Sequence, residues 1–79
     1  MEIYKNLSGL SNVGRYEFGD EYIDVEFKGR NKDGCNTYRY GYARTGQSNV
    51  EHMKELAHAG RGLNSFIVMH VKKLYERKW

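Results

Sequence analysis

The side chains able to do chemistry fall into a few stretches of this 79-residue chain. Tyr38, Tyr40 and Tyr42 stand two apart in Asn36-Thr37-Tyr38-Arg39-Tyr40-Gly41-Tyr42, with Arg39 and Arg44 beside them. In an extended strand that spacing turns all three rings to one face. Rings flanked by guanidinium groups can stack on nucleic-acid bases, at about 1–3 kcal/mol per base. The same face could instead line a core, and the alternation of the neighbouring strand favours that reading. The opposite face would then carry Glu17, Asp24 and Glu26, which repel phosphate.

A second stretch is Gly60-Arg61-Gly62-Leu63-Asn64-Ser65. Two glycines free the backbone to turn its amides inward, and a helix start follows them. Arg61 adds a planar fork suited to phosphate. The stretch therefore reads either as an anion-binding loop or as a plain helix–helix connector with a C-cap glycine. It lacks the Gly-Lys-Ser/Thr of a P-loop, so nucleotide hydrolysis is not implied. A third basic group, Lys72, Lys73, Arg77 and Lys78, lies near the end of the sequence and suits either solvent or phosphate.

Catalytic signals are thin. His52 and His58 are six apart, too far for a helical zinc pair at i and i+4, and His70 stands alone. Cys35 is the single cysteine, so no internal disulfide is expected and the cytoplasm is the default compartment. A ribonuclease using His58 or His70 would need a base-orienting partner, and none is legible. The expectation is a protein that is not an enzyme and uses no metal or cofactor. No apolar run approaches the roughly 20 residues that span a bilayer, and Met1 to Asn6 has no signal-peptide pattern.

Charge is unevenly placed. Residues 1–27 hold Lys5 and Arg15 against six acidic residues, whereas residues 28–79 hold eleven basic against four acidic, for a net +3. A basic second half fits a polyanionic partner, or pairs in space with the acidic first half.

The positioning elements can be read from periodicity. The length fits one domain. Val13–Phe18 and Tyr22–Lys28 alternate apolar and polar residues around Gly19-Asp20-Glu21, which reads as a hairpin. A third strand runs from Cys35 to Ala43, reached through the loop Gly29–Gly34. Ile23, Val25 and Phe27 share the tyrosine face, and Arg39 then lies with Asp24 and Glu26. Ser48-Asn49-Val50-Glu51 reads as a capping box opening a helix with the stripe Val50, Met53, Leu56 and Ala57. A second helix starts near Asn64 or Ser65 and runs toward the C-terminus along Ile67, Val71, Leu74 and Tyr75. The fold class is α+β: a three-stranded antiparallel meander followed by two α-helices on one face. Residues 1–12 carry no assignment.

These stretches together resemble the KTSC domain, named for the C-terminus of some lysyl-tRNA synthetases and found also as small bacterial and phage proteins. The resemblance rests on Ser11-Asn12-Val13-Gly14-Arg15-Tyr16, Ile23-Asp24-Val25-Glu26-Phe27, Tyr38-Arg39-Tyr40, Leu56-Ala57 and Gly60-Arg61-Gly62-Leu63-Asn64. It departs from the family where Ala43-Arg44 replaces the usual Val-Pro and where the glycine segment opens on Gly60 and is one residue short. The resemblance implies the same βββαα fold and a suggested link to RNA.

The leading expectation is a non-catalytic module binding RNA or a phosphorylated nucleotide. Its contacts would be Arg39, Tyr40, Tyr42, Arg44, Gly60, Arg61, Gly62, Asn64, Ser65, Lys72 and Lys73. The alternative is a small phage-type inhibitor or adaptor that binds a host defence protein or sequesters its nucleotide signal; Tyr and Arg suit such an interface. A three-stranded sheet leaves two open edges, through which two copies could pair.

Overall fold

The computed structural model describes residues 1–79 as an α+β fold in which an antiparallel sheet carries helices. The sheet has five strands in the order β1 (Glu2–Ile3), β2 (Val13–Gly19), β3 (Tyr22–Phe27), β4 (Thr37–Gly41) and β5 (Arg77–Lys78). Helix α1 (Tyr42–Thr45), helix α2 (Gln47–Ala59) and helix α3 (Leu63–Phe66) follow β4, and α3 continues as a π-helical turn over Ile67–Val71.

The three central strands pair as their alternation requires. Ile23 and Val25 of β3 oppose Tyr40 and Tyr38 of β4, and Val25 opposes Tyr16 of β2. All lie on the inner face. Tyr16, Ile23, Val25 and Tyr40 join Val50, Met53, Ala57, Leu63, Ile67 and Val71 in one buried cluster. Helical spacing on α2 meets period two on the sheet, which is how one apolar stripe covers one apolar face. The tyrosine run thus serves the core at Tyr40, which is 1% exposed, while Tyr38 and Tyr42 are half-buried against its rim.

Four expectations are corrected. The sheet has five strands, because the first residues and the last residues each add a two-residue edge: Glu2 opposite Tyr16, and Lys78 opposite Tyr38. The third strand ends at Gly41; Tyr42 opens α1 instead of continuing the strand. Helix α2 begins at Gln47 with Gly46 as its N-cap and no side-chain cap, so the Ser48–Glu51 box does not form. Glu51 instead accepts from the Tyr42 hydroxyl at 2.6 Å and pairs with Lys54 at 2.8 Å. The last helix does not reach the C-terminus. Winding stops at Val71, and the chain turns through Leu74 and Glu76 into β5, held by Glu76 N–H to the Arg39 carbonyl at 2.8 Å.

On the outer face the acidic residues of the first half are paired, one of them with a cation of the second half. Arg39 grips Asp24 through two bonds of 2.8 and 2.9 Å, and Arg15 grips Glu26 at 2.6 and 2.8 Å. Glu17 lies 3.5 Å from the N-terminal amine. The Arg39 guanidinium is stacked on Tyr22 at 4.0 Å and faces Trp79 at 5.8 Å. No helix is long and apolar enough to cross a membrane.

Candidate ligand cleft

Between the end of the sheet and the last helical turns lies a cleft of about 470 Å³. One wall is the β3–β4 loop, which supplies Arg30, Asn31, Cys35 and Asn36. The opposite wall runs from α3 through the π-helical turn toward β5, supplying Asn64, Val68, Lys72, Lys73 and Tyr75. Phe27, Tyr38 and Tyr40 come from the sheet between them, and Asn12 from the segment before β2. The lining holds three cations, four carboxamides and no carboxylate.

Asn31 organises the loop wall. Its side-chain oxygen accepts from the Cys35 amide at 3.2 Å and its amide donates to the Tyr38 hydroxyl. Its backbone closes the loop through bonds to Cys35 and Gly34, each 3.0 Å. Arg30 donates to the Gly34 carbonyl at 2.6 Å. Phe27, Tyr38 and Tyr75 form an edge-to-face chain with centroids 5.7 and 4.9 Å apart. Such offsets are the favoured geometry of aromatic rings.

The two walls are fastened together. Lys78 pairs with Asp33, and the Trp79 carbonyl accepts from the Asn36 and Thr37 amides, both at 2.9 Å. Lys78 holds the Asp33 carboxyl below its usual range, and Asp33 in turn raises the Lys78 ammonium. Burial, with Asp33 nearby, pushes the Cys35 thiol up, away from the thiolate a nucleophile needs. Burial also raises the Tyr38 phenol.

Of the residues singled out in the sequence, the cleft gathers Tyr40, Asn64, Lys72 and Lys73. Arg39 is on the opposite side of the sheet, engaged with Asp24. Tyr42 is tied to Glu51, whose carboxylate pushes the phenol up to about 12. Arg44 is exposed, with a long 3.5 Å contact to the Lys73 carbonyl.

The glycine stretch joins α2 to α3. Gly60 caps α2 in the left-handed region at φ 77°, its amide bonded to Leu56 and Ala57. Gly62 caps α3 at φ 80°. Residues from the start of the chain dock on the stretch: Leu7 N–H donates to the Gly60 carbonyl at 2.8 Å, and the Tyr4 hydroxyl accepts from the Leu63 amide at 3.3 Å. Arg61 is exposed, whereas Gly62, Asn64 and Ser65 border a second, smaller concavity.

Sequence reasoning missed Arg30, Asn31, Asn36 and Asn12. The charged loop bracketed by Gly29 and Gly34 was a signal, but nothing local tied it to the last helix. No group of three His, Cys, Asp or Glu side chains is placed to hold a metal ion. His52 and His70 flank the Phe66 ring at 4.9 and 4.8 Å. No family model, curated protein or solved structure matches this chain.

Proposed function

We propose that this chain is a non-catalytic binding module whose ligand is RNA or a phosphorylated nucleotide seated in the cleft. One observation carries the reading: three cations and four carboxamides meet aromatic rings in a concavity without a carboxylate in its lining. Arg30, Lys72 and Lys73 complement phosphate by charge. Carboxamides offer both donors and acceptors, as base edges require. Apolar and aromatic walls with a few convergent polar groups are the usual make-up of a small-ligand pocket, and the volume lies in the usual range. The KTSC resemblance, with its suggested RNA link, points the same way.

Native mass spectrometry of the purified protein, alone and with a mixture of short RNAs and nucleotides, tests the reading. The expected result is a selective mass shift with one member, weakened about tenfold or more by Lys72→Ala combined with Lys73→Ala. Cys35 is the only cysteine and lines the cleft, so the bound ligand should also slow its alkylation. A protein that ignores the whole mixture would overturn the reading and redirect the search to a protein partner of the inhibitor type.

A further inference from the structure

Beyond Asn64 the cleft adjoins a second space. Asn64 lines the cleft and also lines a second concavity of about 240 Å³, whose other walls include Ser8, Ser11 and Ser65. Asn12 belongs to the first space and its neighbour Ser11 to the second. The two spaces therefore adjoin across the Asn64 side chain and the Ser11–Asn12 step.

The serine wall is held in place. Asn6 takes a left-handed φ of 52°, and its side chain spans the loop, accepting from Ser11 N–H at 3.0 Å and donating to the Ser11 carbonyl at 3.4 Å. The Ser8 hydroxyl accepts from Leu10 N–H and the Ser11 hydroxyl from Val13 N–H, each at 3.1 Å. A hydroxyl that accepts from the backbone keeps its own proton to donate elsewhere. With Ser65 and Asn64 this makes a pocket of neutral donors, with no charged side chain of either sign. Neutral donors suit the ribose hydroxyls and singly charged phosphodiester of a nucleic-acid chain. The three cations of the first space suit a more heavily charged end.

We infer that the ligand is a phosphodiester-linked chain of at least two nucleotides, one unit in the aromatic cleft and the next crossing Asn64 into the serine pocket. The inference rests on the proposed nucleotide reading and narrows it from nucleotides in general to a linked pair or a single strand.

Isothermal titration of the full chain with 5′-phosphorylated RNA dinucleotides, and separately with the four nucleoside 5′-monophosphates, decides it. The best dinucleotide should bind about tenfold tighter than the best mononucleotide. Ser8→Ala should remove most of that advantage while leaving mononucleotide affinity within about twofold. Ser8 is exposed, so the substitution does not disturb the core. Equal affinity for both ligand classes, or a Ser8→Ala loss that falls equally on both, would remove the inference and leave the nucleotide reading standing. Binding of neither class would sink both.

Discussion

Asp24 is the most confined charge in the molecule, 1% exposed on a sheet face that no helix covers. Arg39 binds both of its carboxylate oxygens, yet the arginine side chain is itself 26% exposed, with Tyr22 and Trp79 facing the guanidinium. The pair is therefore asymmetric. Removing Asp24 leaves an arginine that can turn to water; removing Arg39 strands a carboxylate that cannot. Breaking a buried pair typically costs about 3–5 kcal/mol. Arg39→Ala should approach that range, and Asp24→Asn should cost clearly less, as urea unfolding of the two variants would register. Equal losses would show that Asp24 reaches water without moving its neighbours. The alternation of both strands made this pairing legible in the sequence; the return of Trp79 to face the same guanidinium, from the far end of the chain, was not. The buried tyrosines set an alkaline limit on stability. Burial, then the Glu2 carboxylate beside it, raises Tyr16 to about 12, and burial raises Tyr40 further. An unfolded tyrosine ionises near 10. Below pH 10 both states keep the proton; above it the unfolded chain releases protons that the native state retains. Stability should thus fall as pH rises from about 10 through 12, by about 1.4 kcal/mol per pH unit for each retained proton. Thermal melts across that window should show the fall, and Tyr16→Phe should flatten it.

Among elements, the two glycines of the α2–α3 connection are unequal in a way their sequence symmetry hides. Both have positive φ, which costs a residue with a Cβ about 1–2 kcal/mol. At Gly62 an added Cβ would meet only a Leu56 methyl at ordinary contact distance, but at Gly60 it would run into the Cβ of Lys5. Gly60→Ala should therefore destabilise by about 2 kcal/mol or more and Gly62→Ala by about 1, compared by denaturant midpoint. Similar midpoints would mean that the first residues do not dock on α2. Periodicity identified the central strands and the stripe of α2 because each is long enough to show its repeat. Edges β1 and β5 have two residues each, and no repeat can be read from two. Ser48 and Glu51 had the spacing of a capping box, yet Glu51 is drawn away by Tyr42 and Lys54, so a tertiary contact overrides the local signal. The apparent helix through Leu74 and Tyr75 ends early for a similar reason. Thr45 Oγ1 donates to the Leu74 carbonyl at 2.8 Å, and β4 takes the following residues as a fifth strand. Deleting Arg77–Trp79 should cost about 2–3 kcal/mol, roughly 1 per backbone bond lost to β4, and should strip hydrogen-exchange protection from Thr37.

At the scale of the whole molecule, the cleft is made by residues from 12 to 75, which is why the sequence pointed to its ingredients and misplaced their assembly. Lys72, Lys73 and Asn64 were visible as a basic helix end and a helix start. Arg30 and Asn31 lay in an unassigned loop, and only the sheet brings that loop opposite the last helix. In the glycine stretch the buried Leu63 amide donates to the Tyr4 hydroxyl and the Gly60 carbonyl accepts from Leu7 N–H, residues that had no assigned structure. Assembly also changes the electrostatic argument. A net charge of +3 over the chain is too small to direct a polyanion by itself. What matters on the proposed reading is that the acidic first half is paired on the outer face, through Asp24, Glu26 and Glu17, while Arg30, Lys72 and Lys73 converge elsewhere. Three phosphate contacts to a single strand predict that log K falls against log salt with a slope of about −2. Lys72→Ala should reduce that slope by about 0.7 and weaken binding of every sequence alike. Arg15→Ala, which frees Glu26 on the far face, should leave the slope unchanged. Titrations of a short single-stranded RNA at three salt concentrations with the three proteins separate these outcomes. A slope that responds to Arg15 and ignores Lys72 would place the polyanion on the outer sheet face instead of the cleft.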